Sequence, residues 1–156
     1  MLVHSVSGIW QTVWLEPVNP VHITRLSIEP DVDNSCFKLQ VNATGDSEAT
    51  ADIRLSDPDG NTVASLQGVA TGTPCTLPVN APELWSSEHP YLYDLNITLS
   101  SEGQQTDAVK SYCGMRKIEV KNVDGTPRIF LNDTQIFQMG PLDQGGGRTD
   151  CTRHLA

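Results

Sequence analysis

The stretch YDLNITLS, residues 93–100, alternates strictly between apolar and polar side chains. Its apolar members are Tyr93, Leu95, Ile97 and Leu99. Successive side chains of a β-strand point to opposite faces of the sheet, so these four residues would share one face. The pattern therefore predicts a strand with one side in a core and the other in water.

The same alternation recurs in residues 36–43 and 51–57. The side chains predicted to point inward there are Phe37, Leu39, Val41, Ile53 and Leu55. In VHITRLSIEP, residues 21–30, the apolar positions change phase at Arg25, and a phase change within a strand predicts a β-bulge. No window shows an amphipathic helical pattern, so the sequence predicts an all-β fold.

Turn-forming residues separate the predicted strands. They occur in SDPDGNT (56–62), SSEGQQ (100–105), VDGTP (123–127) and LNDTQ (131–135). The proline-rich residues 72–90 are expected to cross between sheets rather than to pair along their length. About seven short strands with this spacing predict an immunoglobulin-like antiparallel β-sandwich over residues 18–120.

Composition and charge exclude several classes of function. The formal net charge is -9, which disfavours nucleic acid and anionic membranes as partners. No apolar run approaches the roughly 20 residues that span a bilayer. The four cysteines are far apart in sequence and form no CxxC pair, so free thiols are expected rather than a metal site or disulfide framework. The sequence indicates no cofactor.

Two flanking stretches do not fit within one sandwich. SGIWQTVWLEPV, residues 7–18, carries Trp10 and Trp14 on one face of a predicted strand and Val13 and Leu15 on the other. A strand that is apolar on both faces needs a cover on both faces. RIFLNDTQIFQMG, residues 128–140, predicts a tight hairpin followed by a further apolar strand. Both stretches are therefore expected to pack against neighbouring domains.

Four stretches resemble glycoside hydrolase family 2, the β-galactosidase and β-glucuronidase group. They are SGIWQTVWLEP (7–17), LWSSEHPYLYDLNITL (84–99), SYCGMRKIEV (111–120) and RIFLNDTQIFQMGPLDQG (128–145). The second matches the family's Trp-x-x-x-x-Pro-Tyr-Leu-Tyr stretch, and the third its Phe-Gly-x-Arg strand, with Cys113 in place of the usual aromatic residue. The four occur in the family's order.

The resemblance implies a division of the chain into four parts. Residues 1–17 would be the last strand of a truncated jelly-roll domain, 18–120 the sandwich, 121–145 the hairpin and first strand of a truncated (β/α)8 barrel, and 146–156 a frameshifted tail. In the family, two barrel glutamates catalyse retaining hydrolysis of O-glycosidic bonds. Because a barrel needs roughly 250 residues, those glutamates are expected to be absent here, and the chain to be an inactive scaffold fragment.

Residues 140–156, GPLDQGGGRTDCTRHLA, offer several reactive side chains. A subgroup of the family continues with Trp-Pro-Asp-Gly-Leu-Tyr-Thr-Ala-Pro. If suitable codons encode that peptide, translation in a frame that starts one base later yields residues 147–155. Asp150, Cys151 and His154 are thus interpreted as an accident of translation, with an ordinary tail as the alternative. Asp143 and Gln144 precede the shift, and the resemblance implies that they could contact sugar in an intact relative.

Two other functions remain open at the level of sequence. An autonomous immunoglobulin-like binding or adhesion module explains the alternation equally well but leaves Trp10, Trp14 and the final hairpin unexplained. Direct carbohydrate binding is the weakest alternative, because no exposed aromatic platform is expected. The partners implied by the family are the jelly-roll and barrel domains. Apolar surface left uncovered without them would favour self-association.

Overall fold

The computed structural model describes residues 8, 11–13, 15–45, 48–137 and 139–140. Its internal contacts divide the chain into two compact units, Met1–Arg116 and Lys117–Ala156. Each unit is built from antiparallel strands. Across these described ranges, no helix has the length and apolar character needed to cross a membrane.

The described residues of the first unit form seven strands in two antiparallel sheets. They are β1 (His22–Asp31), β2 (Cys36–Thr44), β3 (Thr50–Ser56), β4 (Thr62–Ala70), β5 (Cys75–Pro78), β6 (Tyr93–Ser101) and β7 (Gln104–Cys113). One sheet has the order β1-β2-β5 and the other the order β4-β3-β6-β7. The predicted all-β sandwich is confirmed, while its immunoglobulin-like character stays a prediction.

The core lies between these two sheets and contains the side chains predicted from alternation. Those from β2, β3 and β6 are Phe37, Leu39, Val41, Ile53, Leu55, Tyr93, Leu95, Ile97 and Leu99, all at most 2% exposed. The rings of Phe37 and Tyr93 meet edge to face, with centroids 6.0 Å apart. The predicted inward faces are therefore confirmed.

The predicted bulge in β1 is also confirmed. The register of β1 against β2 shifts between Ile23 and Arg25, which leaves Thr24 as the extra residue. The Thr24 hydroxyl donates to the carbonyl of Asn42 at 3.2 Å. The N–H of Ile23 donates to Asp107 Oδ2 at 2.8 Å, so a side chain of β7 satisfies a backbone group at the irregular point of β1.

One prediction about the proline-rich stretch was wrong in part. Cys75–Pro78 forms β5 and pairs with β2, whereas no pairing along this stretch was expected. Prolines 74 and 78 stand at or beside its ends, where a missing N–H disrupts little of the ladder. The buried side chain of Leu77 ties the short strand to the core. The rest of the stretch crosses to β6 in the other sheet, as predicted.

The strand predicted over residues 7–18 is not formed by its described residues. Residues 11–13 and 15–19 belong to no strand, and Leu15 is fully exposed. Alternating apolar side chains favour an extended chain, but a strand needs the backbone hydrogen bonds of a neighbour. Trp10 and Trp14 lie outside the described residues.

In the second unit, the described residues form a three-stranded sheet of order β10-β9-β8. Its strands are β8 (Ile118–Val123), β9 (Thr126–Leu131) and β10 (Thr134–Gln135). Both turns predicted here, VDGTP and LNDTQ, join consecutive strands. Residues 136, 137, 139 and 140 lie in no strand. The boundary predicted at residue 120 falls within β8.

Candidate functional site

Two of the family-like stretches meet at one end of the first unit. Leu84 and Met115 form an isolated parallel β-bridge, and the N–H of Trp85 donates to the carbonyl of Met115 at 2.8 Å. Met115 is fully buried. We call Leu84, Trp85, Gly114, Met115 and Arg116 the Trp85 cluster.

The residue types of the Trp85 cluster follow from its packing. A Cβ atom at Gly114 would lie 3.2 Å from Cβ and 3.4 Å from Cγ of Trp85, so a larger residue would push the indole away. The guanidinium carbon of Arg116 lies 4.9 Å from the Trp85 ring centroid, within the range of a cation–π interaction. The Gly-x-Arg spacing thus provides room for the indole and a cation above its face.

Three further rings extend from this end of the sandwich. Tyr91 packs edge-on against Tyr93, with centroids 5.0 Å apart, and His89 stacks on Tyr91 at 5.6 Å. The Tyr93 hydroxyl accepts a hydrogen bond from the N–H of Glu83 at 2.8 Å. Burial raises the pKa of Tyr93, and desolvation followed by the charges of Asp57 and Glu83 raises the pKa of Tyr91. Both phenols therefore stay neutral as packing groups.

A shallow hollow of about 440 Å³ opens beside these rings. It is lined by Pro58, His89, Pro90, Tyr91, Leu92 and Asp94. Asp94 is the one carboxylate among these lining residues. His89, which also lines the hollow, pairs with the exposed Glu83, and their Nε2 and Oε2 atoms are 3.8 Å apart. Glycoside hydrolysis needs two carboxyl groups facing each other across the sugar, with one held protonated by its surroundings. This hollow has no such pair.

A second hollow of about 550 Å³ lies on the outer face of the four-stranded sheet. Two of its polar lining side chains bond to the backbone of the β3–β4 hairpin. Arg54 donates to the carbonyl of Gly60 at 3.2 Å, and Asp52 accepts from the N–H of Gly68 at 2.8 Å. These contacts indicate a structural role.

Two aspartates, Asp31 and Asp57, accept hydrogen bonds within turns. Asp31 Oδ1 accepts from the N–H of Asn34 at 3.1 Å, and Asp31 Oδ2 lies 2.9 Å from Lys38 Nζ. Asp57 Oδ1 accepts from the N–H groups of Asp59 and Asn61 at 3.0 and 2.8 Å. Each carboxylate closes a loop between two strands.

Two of the described cysteines, Cys75 and Cys113, are unsuited to nucleophilic chemistry. Cys36, Cys75 and Cys113 are free thiols, in agreement with the sequence prediction. Burial raises the pKa of Cys113 to about 12 and also raises that of Cys75, so both stay protonated at neutral pH. Cys151 lies outside the described residues.

The side chains singled out near the carboxyl end lie outside the described residues. They are Asp143 and Gln144, the predicted sugar contacts of an intact relative, and Asp150 and His154, which were interpreted as an accident of translation. Within the described ranges, no group of three His, Cys, Asp or Glu side chains could hold a metal ion. Tyr112 is 68% exposed, although no exposed aromatic platform was expected from the sequence. It is a single ring on β7 and lines neither hollow.

The sequence pattern of Glycosyl hydrolases family 2 matches residues 21–116, which include all seven sandwich strands and the Trp85 cluster. The chain belongs to this family. Its match ends at Arg116, where the first compact unit also ends.

Named relatives agree with this assignment. The β-galactosidase of Clostridium acetobutylicum is 31% identical over 123 residues, which are 74% of this chain and 14% of that protein. The β-galactosidase of Halalkalibacterium halodurans is 29% identical over 125 residues, 74% of this chain and 12% of that protein. The chain thus matches 12–17% of the length of the first curated relatives.

Solved structures share the fold. The apo structure of β-glucuronidase from Ruminococcus gnavus matches with a TM-score of 0.66 and 22% sequence identity. The match covers 78% of this chain and 20% of the enzyme chain. At this level of identity the similarity concerns the fold.

Both motifs are recognisable in the sequence, but the contact between them is not. Trp85 and Gly114 are far apart in the sequence, and neither motif by itself predicts that the two residues are in contact. The available signal was the Gly-x-Arg spacing of Gly114 and Arg116, together with Trp85 in the proline-rich crossing.

Proposed function

We propose that this chain is the non-catalytic β-sandwich domain of a family 2 glycoside hydrolase, in which it acts as a scaffold between neighbouring domains. The proposed parent activity is the hydrolysis of O-glycosidic bonds in β-galactosides or related β-glycosides. The observation that carries the proposal is the family match over residues 21–116, which lies within the first compact unit. Carboxylates of this unit, such as Asp57 and Asp52, accept hydrogen bonds from its own backbone.

The exposed apolar side chains support a domain that packs against others. The large ones are Val13, Leu15, Val18, Leu92, Ile118, Val120, Phe137 and Met139, together with Tyr112. Most of them lie before β1 or after β7, outside the seven strands. Uncovered apolar side chains at both ends of a domain are typical of a segment that continues into packed neighbours.

The substrate class rests on the relatives, which are named β-galactosidases. Under this proposal the catalytic carboxylates belong to another domain. Asp143 and Gln144 remain predicted sugar contacts in an intact relative only.

A chimeric enzyme tests the scaffold role. Residues 21–116 would replace the matching segment of the Clostridium acetobutylicum β-galactosidase, and hydrolysis of an aryl β-galactoside would be measured. We expect the chimera to retain activity and the isolated chain to have none. A matched chimera with Gly114→Val should lose activity and thermal stability together, because the valine displaces Trp85.

Two results would contradict the proposal. Turnover of an aryl β-galactoside or β-glucuronide by the purified chain alone would show a catalytic site within it. A chimera that is folded by circular dichroism yet inactive would show that the domain cannot serve as the scaffold, and would favour an autonomous binding module.

A further inference from the structure

The outer edge of β8 can form hydrogen bonds that the described sheet leaves unused. β8 is the terminal strand of the order β10-β9-β8 and pairs with β9 on one side. Asp124 and Gly125 form the connecting turn, both with left-handed φ angles of 49° and 77°. Such a two-residue turn makes Val123 and Thr126 a hydrogen-bonded pair.

The hairpin geometry decides which backbone groups face outward. Hydrogen-bonded and non-hydrogen-bonded pairs alternate along an antiparallel ladder. Since Val123 points its N–H and carbonyl at β9, Lys121 and Glu119 do the same. The backbone groups that point away from β9 therefore belong to Ile118, Val120 and Asn122.

The side chains of β8 divide by face. Ile118 and Val120 are 58% and 69% exposed, and they share a face with their β9 partners Leu131 and Ile129. Glu119 and Lys121 share the opposite face, where Glu119 Oε2 and Lys121 Nζ are 3.0 Å apart. The strand thus offers an apolar stripe and a charged stripe along an open edge.

The charge of this unit does not oppose self-association. The whole chain carries -9, but residues 117–137 contain three cations and three carboxylates. They are Lys117, Lys121, Arg128, Glu119, Asp124 and Asp133. Repulsion between two copies meeting at β8 is therefore smaller than the net charge of the chain implies.

We propose that β8 pairs antiparallel with β8 of a second copy of this chain, about a two-fold axis at Val120. In this register Val120 faces Val120 of the second copy, and Ile118 faces Asn122. Both pairs use the outward-pointing backbone groups. Glu119 then lies opposite Lys121 of the second copy. The two-fold axis also places Lys121 opposite Glu119 of the second copy.

Neighbouring registers are disfavoured by charge. Sliding one copy by two residues preserves the hydrogen-bond pattern but sets Glu119 against Glu119, or Lys121 against Lys121, depending on direction. Like charges directly opposite each other destabilise a sheet, whereas opposite charges stabilise it. A lysine on an edge strand usually discourages pairing, and here Glu119 of the second copy offsets it. The proposal concerns the chain alone and is independent of its role in a larger enzyme.

Sedimentation equilibrium of the full chain over a wide concentration range tests the proposal, with circular dichroism on every variant. We expect a monomer–dimer equilibrium. Val120→Pro removes an outward N–H and leaves the β8–β9 bonds intact, so dimerisation should weaken by at least about tenfold. Val120→Thr is the matched control, because it keeps the N–H and the branched side chain, and it should dimerise nearly as well as the parent.

A charge exchange tests the register and remains informative if the proline variant does not fold. Glu119→Lys should weaken dimerisation, and adding Lys121→Glu should restore it. A wild-type chain that stays monomeric would overturn the proposal, as would association unchanged by Val120→Pro in a folded variant. Association lost instead on Leu15→Ser would also overturn it, since the contact would then lie before β1.

Discussion

Asp107 of β7 and Ile23 of β1 are 84 residues apart and joined by a 2.8 Å hydrogen bond, from the Ile23 N–H to Asp107 Oδ2. Asp107 Oδ1 also accepts from the N–H of Ala108 at 2.8 Å. The carboxylate therefore links the two sheets at the bulge of β1.

Removing this carboxylate should loosen the bulge. Asp107→Ala leaves the partly buried Ile23 N–H without its acceptor, and we expect a loss of about 1.5–3 kcal/mol in the free energy of unfolding. Urea denaturation measures it. Asp52→Ala is the matched control, because Asp52 accepts one exposed N–H, that of Gly68, and should cost less. Equal losses for the two variants would contradict the role given to Asp107.

Gly45 should not tolerate a side chain. Its φ angle is +92°, and a Cβ atom there would lie 2.4 Å from the carbonyl oxygen of Pro20. Gly45→Ala therefore adds a backbone clash to the cost of the left-handed conformation, and we expect a loss of more than about 2 kcal/mol.

Gly60→Ala separates these two causes. Gly60 has a similar φ of +86° but nothing within 4 Å of its Cβ position, so it reports the conformational cost alone, about 1–2 kcal/mol. Thermal unfolding of both variants gives the comparison. If Gly45→Ala is no less stable than Gly60→Ala, the close approach of Pro20 has no energetic consequence.

The Trp85 cluster should contribute more through packing than through charge. Trp85→Ala removes a half-buried indole that contacts Gly114 and Arg116, and we expect a loss of about 2–4 kcal/mol. Arg116→Ala removes an exposed cation–π contact and should cost about 0.5–1 kcal/mol. Chemical denaturation measures the loss in the free energy of unfolding for each variant. A loss for Arg116→Ala as large as that for Trp85→Ala would contradict the prediction.

Acid should destabilise the chain partly through Asp31. Hydrogen bonds from Lys38 and then Asn34 lower the pKa of Asp31 from 3.8 to about 2. Because the folded-state pKa is the lower one, the stabilisation is complete above about pH 4 and is lost as the pH falls to about 2. Asp31→Asn should be less stable than the parent at neutral pH, and the two stability curves should converge below pH 4. Parallel curves through this window would contradict the assignment.

Much of the sandwich could be predicted because the sequence signals for its strands, bulge and turns involve residues that are close together in the chain. Alternation in β6 identified the buried Tyr93 and Ile97, and the phase change at Arg25 identified the bulge. Turn residues marked the hairpins. Each of these signals depends on residues that are close in sequence, and the backbone geometry translates them directly into faces and turns.

The errors came from interactions with distant or absent partners. β5 forms despite its prolines because Leu77 fills the core beside β2. Residues 11–13 and 15–19 form no strand because alternation supplies no hydrogen-bond partner. The Trp85 cluster depends on a contact across the fold, which neither motif specifies. The sugar contacts predicted at Asp143 and Gln144 remain predictions.

The bridge between Leu84 and Met115 also has a mechanical consequence. Met115 lies between the end of β7 and the start of the second unit, and it is bonded to Trp85 through its carbonyl. Tension applied to the chain beyond Arg116 therefore loads the Trp85 cluster before it loads the hydrogen bonds between β6 and β7. The sandwich can be pulled from its carboxyl end without peeling its edge strand until that cluster opens.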